Sequence, residues 1–181
     1  LMISRFFRKT SCKLIPIKEN LINKIWKRKS ITSYKKFYML KNKDSGESSK
    51  SKINKLSKIL YNNKVDFQFV SAPENVAWLL NLRGGDSEFT PIPNSYLIIN
   101  SKGKVYFFLN PKKITEKLKK DLDKNIIIEN IKNIEKFISK IKNIKFQLDS
   151  FSCSIFFKSI IKKNNQVIEK QDPIYYLKSI K

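Results

Sequence analysis

The chain has 181 residues, enough for one domain of ordinary size with part of a second, and its 41% hydrophobic and 12% aromatic shares exclude wholesale disorder. Thirty-eight lysines and arginines against 15 acidic residues leave a formal charge of +23, which raises nucleic acid or an anionic surface as a partner. Lysine, asparagine and isoleucine rise together throughout, as in AT-rich coding, and arginine is scarce, so charge alone assigns no nucleic-acid function.

The first 29 residues read as the tail of a preceding unit. "LMISRFFRKTSCK" puts charges where a signal peptide keeps its apolar segment and starts with leucine, so the expectation is a cytoplasmic piece of something longer. "CKLIPI" is expected as a short strand, and "ENLINKIWKRK" as a helix with Leu21, Ile22 and Ile25 on one side. Residues 30–52 are expected to be a linker, because "KNKDSGESSKS" (41–51) is polar and rich in serine and charge. The main domain is expected over 53–172, with 173–181 starting a join to something further.

"KINKLSKILYNN" puts Ile53, Leu56 and Leu60 on one helical face, and "DFQFVS" reads as a strand. "SYLIIN" and "KVYFFL" flank "SKG", a hairpin turn with Gly103 in the unusual backbone conformation. "PKKITEKLKKDL" predicts a helix with proline in its first turn and Ile114, Leu118 and Leu122 spaced by four. Then follow the strand "NIIIEN", the helix "IKNIEKFISKIK", the strand "KFQLD", the helix "SCSIFFKSIIKKN" and the strand "QVIEK". Strands separated by helices, with one hairpin among them, predict an α/β fold whose mixed β-sheet is flanked by helices. The lysines opposite the apolar faces at 112–124 and 131–142 look like solvated surface and carry no basic-aromatic signature of an RNA-binding sheet.

The chain contains no histidine, which excludes Ser-His and Cys-His nucleophile pairs and most imidazole-based zinc or iron sites. Cys12 and Cys153 fit neither a disulfide framework nor a metal knuckle and read as buried or idle thiols in a reducing compartment. No run approaches the roughly 18 apolar residues of a membrane helix. "RGGD" lacks the spacing of the common nucleotide loops. Glu74, Asp86 and Glu88 are the only acids near unusual neighbours, and Arg83 beside them would repel a hard cation.

Rare residue types crowd into "NVAWLLNLRGGD" (75–86), which holds one of two tryptophans, one of four arginines and two of four glycines. Ser71 and Glu74 have the spacing of a capping box, Pro73 suits a first helical turn, and Val76, Leu79 and Leu80 make an apolar face. Gly84 or Gly85 is expected to end this helix in a left-handed turn, with Arg83 and Asp86 projecting from the loop beyond it. Pro91 and Pro93 hold the chain extended on its way back to the sheet. Trp78 and the leucines read as core, and an arginine between a helix end and paired glycines is well placed to meet a carboxylate.

"ENVAWLLNLRGGDSEFTPIPNSYLII" resembles the second, creatinase-like amino-terminal domain of aminopeptidase P, the Xaa-Pro aminopeptidase, in its three-domain form. "KLIPIKENLINKIWKRK" is similar to the segment closing that family's first domain, and "DPIYYLKSIK" to its join with the catalytic domain. Pro73 stands where the family usually has aspartate, and Gly85 where it usually has serine. The resemblance implies a non-catalytic segment of a metallopeptidase, a hydrolase whose pita-bread catalytic domain carries two divalent metals, usually manganese. None of that domain's aspartate, histidine and glutamate ligands matches a position here, so residues 1–181 are expected to be inactive alone and to hold no metal. The implied partners are that catalytic domain, in the same polypeptide or a neighbouring subunit, and a peptide with proline second; the full enzyme is expected to be a homodimer. On this reading the loop 83–94 faces the cleft entrance, with Arg83 and Asp86 meeting peptide or orienting the wall and Trp78 anchoring the loop from beneath. The alternative reading is a basic anion- or nucleic-acid-binding module without enzymatic activity.

Overall fold

The computed structural model describes residues 6–15, 17, 19–26 and 35–180. Contacts divide the chain into two units, Leu1–Thr32 and Ser33–Lys181. In the first, Phe7–Lys9 form a 3-10 turn and α1 (Leu21–Ile25) a short helix whose N-cap, Asn20, accepts a hydrogen bond from the Ile22 N–H at 3.0 Å. Leu21, Ile22 and Ile25 are all exposed. Residues 12–15 and 17 do not form the expected strand, having no ladder partner among the described residues; Pro16 lies outside those residues, as do Lys27–Lys29 of the expected helix.

The second unit is built on a six-stranded mixed sheet. Its strands are β2 (Phe67–Val70), β4 (Tyr96–Asn100), β5 (Val105–Leu109), β6 (Ile126–Asn130), β7 (Lys145–Leu148) and β8 (Gln166–Glu169), in the order β6-β5-β4-β2-β7-β8. A separate two-residue ribbon joins β1 (Tyr38–Met39) to β3 (Leu82–Arg83). β4 and β5 form the hairpin, with Gly103 at φ 82° in its turn. β4 also runs antiparallel to β2, while β5–β6, β2–β7 and β7–β8 are parallel.

Strand alternation sorts side chains into two cores. On one face Val70, Leu97, Ile99, Val105, Phe107 and Leu109 meet α3 (Ser49–Asn62), α4 (Pro73–Leu79), α5 (Glu116–Asp121) and α8 (Pro173–Ser179) through residues such as Leu56, Leu60, Val76, Leu118 and Ile174. On the other, Phe69, Ile98, Phe108, Phe146 and Leu148 are covered by Ile134 and Ile138 of α6 (Ile134–Lys140) and Ile161 of α7 (Ile155–Asn164). Aromatic edge contacts such as Phe69–Phe157, with centroids 5.1 Å apart, tie α7 to this second face.

Several expected elements shift. Residues 41–51 are not irregular: α2 (Asn42–Ser45) and the first residues of α3 occupy them, because Ser48 caps α3 by accepting from the Ser51 N–H at 3.2 Å. Phe37, in the same expected linker, is 2% exposed and lies in the first core. Pro111 opens a 3-10 turn rather than the helix, which begins after Thr115 accepts from the Leu118 N–H at 3.1 Å; Ile114, Leu118 and Leu122 are nevertheless all buried. Likewise α7 starts only after its cap Ser154, and α6 only after a 3-10 turn at Ile131–Asn133. α8 packs Ile174 and Leu177 into the first core.

Candidate functional site

The helix expected from residue 73 forms as α4, with Pro73 in its first turn, but not with the expected ends. Ala72 is the N-cap and makes no side-chain cap bond. The Ser71 hydroxyl instead meets the Ser152 hydroxyl at 2.8 Å, and the Glu74 carboxylate accepts from the Tyr175 hydroxyl at 2.7 Å, so no capping box exists. The left-handed residue that ends the helix is Asn81, at φ 54°, rather than Gly84 or Gly85. Its side chain repays the unusual backbone: Nδ2 donates to the Glu47 carbonyl at 2.8 Å, and Oδ1 accepts from the Lys52 ammonium at 2.5 Å.

The Lys52 ammonium also donates to the Trp78 carbonyl at 3.0 Å and stands 4.3 Å from the centre of the Trp78 ring. Trp78 is half-buried against the first core, while Leu79, Leu80 and Leu82 are fully buried. Past Asn81 the chain pairs through β3 with β1 and enters the loop 84–94. Gly84 is required by proximity: an added Cβ would stand 2.9 Å from Phe37 Cε1 and 2.9 Å from Pro93 Cα. Its N–H donates to the Pro91 carbonyl at 3.1 Å, closing the loop across its base.

The structure does not bring Arg83 and Asp86 together on one partner. Half-buried Arg83 donates through Nη1 to the Leu82 carbonyl at 2.8 Å and the Ala77 carbonyl at 3.3 Å, which locks it beneath α4. Asp86 turns inward. One carboxylate oxygen forms an ion pair with Lys113, the two side chains only 9% and 10% exposed, and the other accepts from the Asn94 N–H at 2.6 Å. The loop is therefore pinned on both sides, and its tip, residues 87–90, is exposed, with Phe89 at 88%. A shallow depression of about 340 Å³ beside the tip is lined by Tyr38, Lys36 and Phe89 among others.

A second polar cluster escaped the sequence reading. Asp172, buried, receives the Gln68 side-chain amide at 2.7 Å and the Ile174 N–H at 2.9 Å on Oδ1, and the Asn75 amide at 2.8 Å on Oδ2. Its own N–H donates to Asp149 at 2.9 Å, and Lys178 donates to Asn75 Oδ1 at 2.5 Å. Burial pushes the Asp172 carboxyl above its ordinary range, against the stabilising pull of these donors. The cluster staples α4 and α8 to β2. One sequence signal could have found it: a glutamine interrupts the apolar run in both "DFQFV" and "KFQLD".

Among the described residues no group of three His, Cys, Asp or Glu gathers that could hold a metal ion, and no helix is long and apolar enough to cross a membrane. The chain contains no histidine, and Glu74, Asp86 and Asp172 are each engaged by a hydrogen-bond or ion-pair partner.

The family model described as Creatinase/Prolidase N-terminal domain matches residues 28–181. The chain is 30% identical over 171 residues to Xaa-Pro aminopeptidase 1 of Dictyostelium discoideum, covering 90% of this chain and 27% of that protein. It is 31% identical over 177 residues to Xaa-Pro aminopeptidase ApepP of Drosophila melanogaster, covering 94% and 28%. The chain thus spans little more than a quarter of the length of these curated relatives. A crystal structure of X-prolyl aminopeptidase from Caenorhabditis elegans, described as a cytosolic enzyme with a dinuclear active site, shares the fold with a TM-score of 0.75 at 23% identity, over 86% of this chain and 27% of that one.

Proposed function

Because the chain belongs to the creatinase/prolidase N-terminal domain family, we propose that it serves as the non-catalytic amino-terminal part of a Xaa-Pro aminopeptidase. In that role it packs against a metal-bearing catalytic domain, of the same polypeptide or a neighbouring subunit, and shapes the entrance for peptides with proline second. The full enzyme on this reading is a cytosolic homodimer with two divalent metals, manganese in our proposal. Those metals would be held outside the described residues, which offer no fitting donor set.

The observation that best supports the reading is the pinned loop. A segment held by Gly84–Pro91, Asp86–Lys113 and Asp86–Asn94 contacts keeps its shape while exposing residues 87–90. Such a loop presents a wall at little entropic cost. Within it Asp86 acts as the brace, Trp78 supports the base, and Arg83 orients the wall through the carbonyls beneath it; a peptide carboxylate would meet the guanidinium through Nε and Nη2. The basic-module alternative is not favoured by these relatives.

The test is made in a longer polypeptide where this domain precedes a metal-bearing catalytic domain. Arg83→Ala should raise KM for a proline-second peptide with metal content at the wild-type value, measured below a Tm lowered by the loss of its bonds to the Leu82 and Ala77 carbonyls. Unchanged kinetics would remove the entrance role. Release of amino acids by residues 1–181 alone with manganese would overturn the non-catalytic reading.

A further inference from the structure

We infer that the sheet holds one internal water between β2 and β7, bound by the side-chain oxygens of Gln68 and Gln147. The two residues are register partners in the parallel β2–β7 pair. Their neighbours Phe67, Phe69, Phe146 and Leu148 all pack into the second core, so both glutamines face the opposite layer, where Gln68 meets Asp172. Each glutamine is 1% exposed. Oε1 of each is buried and accepts no hydrogen bond among the described residues.

Apart from the Gln147 amide nitrogen, which could reach Gln68 Oε1 but not its own oxygen, the nearby side-chain donors are already committed. Gln68 Nε2, Asn75 Nδ2 and the Ile174 N–H all go to Asp172; the Asp172 N–H goes to Asp149; Lys178 donates to Asn75. Two buried acceptors without a donor are strongly unfavourable. They stand on strands about 5 Å apart, and a water molecule supplies two donors from a single small oxygen. A metal ion fits less well, because the carboxylates of the cluster, Asp172 and Asp149, already accept N–H groups on both oxygens. The bound water completes the polar cluster that staples α4 and α8 to the sheet.

A crystal structure of the chain that resolves ordered solvent should show one fully occupied water about 3 Å from both oxygens. A dry gap overturns the inference. So does a Gln147 amide turned so that its NH2 group meets Gln68 Oε1, or an Asp172 carboxyl donating to either oxygen. In solution, Gln147→Met keeps the volume and removes one acceptor. With water bound, the variant strands Gln68 Oε1 and Tm falls by a few degrees; an unchanged or raised Tm means the oxygens were dry and overturns the inference. Should that variant fail to fold, the wild-type chain decides. Cross-relaxation between the Gln68 Nε2 hydrogens and a long-lived water supports the site, and its absence refutes it.

Discussion

Asp86 and Lys113 close on each other at the base of the loop 84–94, 27 residues apart in sequence, with each side chain about nine-tenths buried. Lys113 sits in the 3-10 turn opened by Pro111, its ammonium 5.7 Å from the centre of the Phe37 ring, and the Phe37 N–H donates to the Lys113 carbonyl at 2.8 Å. The pair thus fastens three segments that are distant along the chain. Removing one partner leaves the other charge buried without compensation, which weighs more than the attraction itself.

Asp86→Ala should therefore destabilise the chain by about 3 kcal/mol, read from urea unfolding. The double variant Asp86→Ala with Lys113→Met should recover much of that loss, since no lone charge remains. Wild-type stability in the single variant would show that the pair is not a brace.

Gly84→Ala tests the close approach of the loop base to Phe37. The Phe37 ring can tilt, but the Pro93 Cα, 2.9 Å from the added Cβ, belongs to the backbone and moves only with the loop. A loss of about 1–3 kcal/mol is expected, seen as a lower Tm. A stabilised variant would mean that the loop shifts freely.

The Asp172 cluster has a pH signature. Burial raises the folded-state pKa of this carboxyl, so the protonated form folds more readily than the ionised one. Its contribution is then fully present below the ordinary carboxyl range and is lost as pH rises through the raised value. Asp172→Asn removes that titration, so the difference in unfolding free energy between wild type and variant should shift against the wild type as pH rises from about 3 to 8. A pH-independent difference would rule the effect out. Asp172→Ala, which also strands the amides of Gln68 and Asn75, should cost about 2–4 kcal/mol.

The two thiols should react unequally. Cys153 is half-buried, and desolvation pushes its pKa up to about 11, so little thiolate exists at neutral pH. Cys12 is exposed. Iodoacetamide at pH 7.5 should label Cys12 well before Cys153, with the order read by peptide mass spectrometry. Equal rates would contradict the buried setting of Cys153.

Much of the architecture was legible because its cause is local. The β4–β5 hairpin follows from alternating apolar residues around a glycine turn, and α3 from Ile53, Leu56 and Leu60 repeating on one face. Helix ends were less legible: the starts after Ser48, Thr115 and Ser154 rest on caps that apolar periodicity does not mark, and the Ser71–Glu74 pattern misled because both side chains found distant partners. Ser71 meets Ser152, 81 residues on, and Glu74 meets Tyr175, 101 residues on. Arg83 and Asp86 stood out as unusual residues, but nothing in their surroundings along the chain says that one would lie under α4 and the other would turn in to Lys113.

The sequence by itself determined the α/β layering, the hairpin and the family motif, since side-chain periodicity and turn chemistry act over a few residues. Only the tertiary structure decided where the polar groups go. Gln68 and Asn75 lie 104 and 97 residues from Asp172 along the chain, yet the three must satisfy one another once water is excluded. Burial creates that demand, and folding alone selects which donors and acceptors arrive together to meet it.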